Sequence, residues 1–113
     1  MRVPRLGKGT NQMKVEVFFV PGCPNYEPAV ERVKNVLAAE ALNVEVKGIS
    51  VNTDEDAKVL MFPGSPTVRI NGDDVERDQM PATGLTCRLY SNRTGVPSEE
   101  VLRLAIARAK AAE

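Results

Sequence analysis

A chain of 113 residues with 42% hydrophobic residues has the size of one domain with one core, built from Val, Leu, Ile and Ala because aromatics are 4% and tryptophan is absent. Fifteen Lys and Arg balance fifteen Asp and Glu, which argues against a nucleic-acid groove or a membrane-surface patch. Two cysteines are too few for a disulfide scaffold, and the absence of histidine removes Cys–His and Ser–His nucleophile pairs and the commonest zinc ligand.

In chain order, residues 1–12 contain Pro4, Gly7 and Gly9 and show no helical or strand period, which predicts a disordered leader before a domain over 13–113. The leader lacks the apolar core of a secretory signal, and no apolar run is long enough to span a bilayer, so a soluble cytoplasmic protein with reduced thiols is expected. Lys14 to Val20 begins with alternation and ends continuously apolar, as a strand entering the middle of a sheet does. Pro21-Gly22 stops it. Asn25 is the expected cap of a helix whose stripe is Val30, Val33, Leu37 and Ala41.

Asn43 to Val51 alternates and reads as a second strand, with an irregularity expected at Gly48. Asn52 or Thr53 caps a short helix with Ala57, Leu60 and Met61 on its apolar face. Pro66 to Ile70 reads as a third strand, Asn71-Gly72 as a hairpin turn and Asp73 to Glu76 as the returning strand. Arg77 to Gly84 reads as a loop. Leu85 to Tyr90 alternates again, as a short extra strand would, and Ser98 caps a final helix with Leu102, Ala105, Ile106 and Ala109 on its buried stripe. The expected class is α/β: a central mixed sheet in the order β-α-β-α-β-β-α, flanked by helices.

The chemistry centres on Gly22-Cys23-Pro24-Asn25-Tyr26, which puts a thiol at a strand-to-helix junction. The thiolate is the reactive form, and the unpaired N–H groups at a helix start favour it. With Gly64-Ser65-Pro66-Thr67-Val68 opening the third strand, the element order resembles the thioredoxin/glutaredoxin-like superfamily over roughly Lys14 to Ala111. The resemblance implies a thiol–disulfide oxidoreductase with Cys23 as nucleophile and no cofactor. It implies a cis bond before Pro66, a groove lined by Pro24, Tyr26, Ser65 and Pro66, and Ser65 backbone groups left free to pair with an extended substrate. Its partners would be a thiol or disulfide, either a protein or glutathione, with no nucleic acid and no membrane.

Tyr26 stands where the superfamily carries a second cysteine. Three readings therefore stand side by side: exchange with an external thiol, a cycle with Cys87 as resolving thiol, or a binding module without redox chemistry. Cys87 has a structural reading too, as a small core residue alternating with Leu85 and Leu89 on an apolar face. A second resemblance, carried by Gly22 to Glu27 and Gly84 to Tyr90, is to organomercurial (alkylmercury) lyases. It implies that Cys23 and Cys87 hold mercury between two soft thiolates. The acid that would protonate the leaving carbon has no equivalent, because Tyr26 occupies its position and Glu27 is only adjacent. Tyr26 is expected to pack, Asp73-Asp74 to serve the turn, and Arg69, Arg77 and Arg88 to be solvated in preference to holding a glutathione carboxylate.

Overall fold

The computed structural model describes residues 13–76 and 83–111. The expected leader and most of the Arg77–Gly84 loop lie outside them. Seven elements form: β1 (Val15–Phe19), α1 (Tyr26–Ala39), β2 (Val46–Ser50), α2 (Asp54–Val59), β3 (Thr67–Ile70), β4 (Asp73–Asp74) and α3 (Glu99–Ala111). The sheet order is β2-β1-β3-β4. β1 runs parallel to β2 and antiparallel to β3, and β4 returns antiparallel to β3. The molecule is thus a mixed α/β fold with a four-stranded mixed sheet and three helices.

The apolar pattern decides the layering. On β1, Val15 and Val17 alternate with Phe18, so the strand buries both faces, as a central strand must. Val15 and Val17 join Val33, Val36 and Leu37 of α1, Leu102, Ala105 and Ile106 of α3, and Val68 and Ile70 in the larger core. Phe18 meets Val51, Ala57 and Phe62 on the other face, under α2. Each fully buried Val or Leu contributes roughly 1.5–3 kcal/mol relative to exposure, so these two clusters carry most of the driving force.

The element ends follow from local chemistry. Thr53 caps α2 by accepting a hydrogen bond from the Asp56 N–H at 3.0 Å, and the Ser98 hydroxyl accepts from the Val101 N–H at 3.1 Å before α3. Asn71 and Gly72 have φ of 54° and 86°, the pair of positive values that a two-residue hairpin requires. Two expectations are corrected. Asn25 holds the cap position of α1, but its side chain makes no capping hydrogen bond. Gly48 causes no irregularity: Val17 pairs with it in unbroken register. A Cβ there would lie 1.9 Å from the Tyr26 hydroxyl oxygen, so this glycine makes room for a ring. Among the described residues no helix is long and apolar enough to cross a membrane.

Candidate functional site

β1 ends in a turn that carries the first cysteine. The Cys23 N–H donates to the Val20 carbonyl at 3.0 Å, and the Tyr26 N–H donates to the Cys23 carbonyl at 3.3 Å. Cys23 is a half-buried free thiol two residues ahead of the cap of α1. Pro24 is exposed beside it. Tyr26 does not face an open groove. Its ring stacks on Phe19 with centroids 3.8 Å apart and lies over Gly48, so this side chain packs α1 onto β1 and β2.

Ser65 links this turn to the second cysteine. The Ser65–Pro66 peptide bond is cis. The Ser65 hydroxyl oxygen accepts from the Val20 N–H at 3.0 Å, which ties it to the Cys23 turn. Its backbone is fully engaged elsewhere. The Ser65 N–H donates to the Thr86 carbonyl at 2.7 Å, and the Arg88 N–H donates to the Ser65 carbonyl at 2.9 Å. These two bonds form a parallel bridge between Ser65 and Cys87. The expectation of Ser65 backbone groups left free for an extended substrate is therefore overturned: the chain's own Thr86–Arg88 segment uses them. Residues opposed in a bridge project their side chains to the same side. Cys87 thus leaves the chain on the side where the Ser65 hydroxyl meets the Cys23 turn.

Within the Leu85–Tyr90 segment burial alternates only from Cys87 to Tyr90, with the face opposite to the expected one inward, and Leu85 and Thr86 are both exposed. Cys87 and Leu89 are exposed, while Arg88 and Tyr90 are 3% and 2% exposed. Among the described residues the bridge is its only ladder contact, so it is not the expected strand, and Cys87 is not a core residue. Arg88, expected on the surface, is the centre of a buried network. Its guanidinium donates to both Asp74 carboxylate oxygens at 2.7 and 2.8 Å, to the Thr67 hydroxyl at 3.2 Å and to the Glu76 carbonyl at 3.4 Å. It lies 4.2 Å over the Tyr90 ring, and the Tyr90 hydroxyl donates to the Pro66 carbonyl at 2.6 Å. Glu76 holds the next turn by accepting from the Ser91 N–H at 2.9 Å and from the Ser91 hydroxyl.

Electrostatics hold this network in one charge state. Burial alone would lower the Arg88 pKa, but the Asp74 hydrogen bond and the neighbouring negative groups outweigh it and raise it, so the guanidinium stays charged. Burial pushes the Tyr90 hydroxyl up against the opposing pull of Arg88, which keeps it a neutral donor. Asp74 is therefore an ion-pair partner 6% exposed, more than a turn residue. Arg69 is also partly covered, lying 4.9 Å over the Phe18 ring and donating to the Met61 carbonyl. Arg77 lies outside the described residues.

The sequence reading missed Asp74, Arg88 and Tyr90. The signal available was parity: an alternating segment offers two faces, and Arg88 with Tyr90 becomes a credible inner face once Asp74 stands across from it. Among the described residues no group of three or more His, Cys, Asp or Glu side chains is placed to hold a metal ion. Comparison with protein-family models, with curated proteins and with solved structures finds no match to this chain.

Proposed function

We propose that the protein is a thioredoxin-like thiol–disulfide exchange protein in which Cys23 and Cys87 form the working pair. The observation that carries this reading is the double attachment of Ser65: its side chain holds the Cys23 turn and its backbone holds the Cys87 segment. A free, half-buried thiol at the junction of β1 and α1 is a second point in its favour. In the forward step the Cys23 thiolate attacks a substrate disulfide, forming a mixed disulfide and expelling one substrate thiolate. The Cys87 thiolate then attacks the Cys23 sulfur and releases the second. The substrate gains two electrons, the Cys23–Cys87 disulfide is left oxidised, and a small thiol or dithiol returns it to the reduced state.

Mild oxidation followed by mass spectrometry tests the reading. The expected product is a monomer two hydrogens lighter, with peptides containing Cys23 and Cys87 joined, and neither Cys23→Ser nor Cys87→Ser gives it. Recovery of only mixed disulfides or intermolecular dimers contradicts the cycle, mixed disulfides at Cys23 favouring exchange with an external thiol, and no oxidation at Cys23 leaves a non-catalytic binding module as the better account.

A further inference from the structure

We infer that Arg88, through its buried pair with Asp74, is a positioning residue for Cys87, setting the exposed thiol against Ser65 and the Cys23 turn. The inference rests on the proposed Cys23–Cys87 cycle and adds to it the group that makes the second thiol available.

The geometry is directional. Arg88 points inward and Cys87, its neighbour in an extended segment, points outward, so fixing one fixes the other. Two near-parallel N–H···O bonds to Asp74 set the guanidinium's plane as well as its place, which a lysine ammonium would not do. The backbone of Arg88 is pressed onto the cis-proline turn: a Cβ added at Gly64 would lie 3.0 Å from the Arg88 Cβ and 3.2 Å from its Cα and N. Tyr90 fastens the segment's far side to Pro66. Asp74, Thr67 and Pro66 all belong to β3, β4 or the turn that opens β3, so the seat is built from the rigid sheet.

Energetics point the same way. A buried ion pair is weak evidence of stability, because desolvating two charges offsets most of their attraction; it is better evidence of a geometry held to one arrangement. Here a buried Arg–Asp pair lies under a segment that, among the described residues, makes a single bridge, to Ser65 in the turn before β3, and carries an exposed cysteine. The Arg88 Nε finds no acceptor among the described residues, so the bond inventory is not maximised for stability alone.

The test is the equilibrium constant of the Cys23–Cys87 disulfide against a graded glutathione buffer, measured alongside thermal unfolding and the alkylation rate of Cys23. Arg88→Lys is expected to lower that constant by about tenfold or more while the Cys23 alkylation rate stays within about twofold, the mark of lost orientation at one partner. Should Arg88→Lys fail to fold, Arg88→Met with Asp74→Leu fills the site with apolar groups and is expected to show the same loss. Tyr90→Phe, which removes the hydroxyl that bonds Pro66 and keeps the ring under Arg88, is expected to show a smaller loss in the same direction. A disulfide constant unchanged in all of these, with stability alone reduced, overturns the positioning role and leaves the cycle standing. A wild-type protein that forms no intramolecular disulfide overturns the cycle, and the positioning role with it.

Discussion

Tyr26 and Gly48 illustrate how one residue's identity is set by another's. The Tyr26 ring needs the space over β2, and glycine leaves it. In an ordinary strand Gly→Ala is mildly favourable because it removes backbone freedom and adds a packing atom. Here the new Cβ would meet the Tyr26 hydroxyl at 1.9 Å and the ring carbon bearing it at 3.1 Å. The ring must shift off Phe19. Gly48→Ala is therefore expected to destabilise the protein by about 1–3 kcal/mol, the usual cost of overpacking. Tyr26→Leu in the same chain should recover a good part of it, since the clashing group is gone. Chemical denaturation of the two single variants and the double variant measures the coupling; strictly additive losses would contradict the contact.

At the scale of elements, hydrophobic period placed every long segment, and it failed where a polar network took over. β1, α1 and α3 were legible because apolar spacing alone fixes their buried faces. Asn71-Gly72 was legible because few residues tolerate its backbone. Leu85 to Tyr90 was read with the wrong face inward, and its alternation holds only from Cys87 on: apolarity favours burying Leu85, Cys87 and Leu89, yet Arg88 and Tyr90 are inside because Asp74, Thr67 and Pro66 satisfy their polar atoms. Cys23, Ser65 and Cys87 were singled out as local motifs; the bridge between Ser65 and Cys87 was not, since it is a backbone pairing that no side-chain pattern encodes.

That pairing has a consequence for substrates. Strand addition needs an unpaired edge, and Ser65 offers neither its N–H nor its carbonyl. Glutathione disulfide and an extended peptide of similar charge carrying the same mixed disulfide should thus react with the reduced protein at rates within about tenfold, the equivalent of about 1.4 kcal/mol of added recognition. Stopped-flow quenching of the thiols compares them. A peptide preference well beyond that range would mean that the Thr86–Arg88 segment yields its place to substrate.

For the molecule as a whole, the buried network ties pH to stability through Tyr90. Burial is the leading cause of its raised pKa, with Arg88 opposing, so the folded state keeps this hydroxyl protonated where the unfolded chain does not. An exposed tyrosine in the unfolded chain titrates near 10, by the usual reference value. Below that pH both states hold the proton and the stabilising bond to Pro66 is fully present. As pH rises through the unfolded value toward the folded one, only the unfolded chain releases its proton, so unfolding is increasingly favoured. The expected result is a thermal midpoint that falls with a steeper slope above about pH 10 in the wild type than in Tyr90→Phe. Tyr90→Phe should be the less stable of the two at neutral pH, because the Pro66 carbonyl loses its donor, and the gap should narrow as the solution becomes alkaline. Melting curves of the two proteins over the same pH series, at fixed ionic strength, measure both features. Parallel curves would mean that Tyr90 ionises as readily in the fold as in the unfolded chain, which its burial beneath Arg88 and its bond to the cis-proline turn argue against.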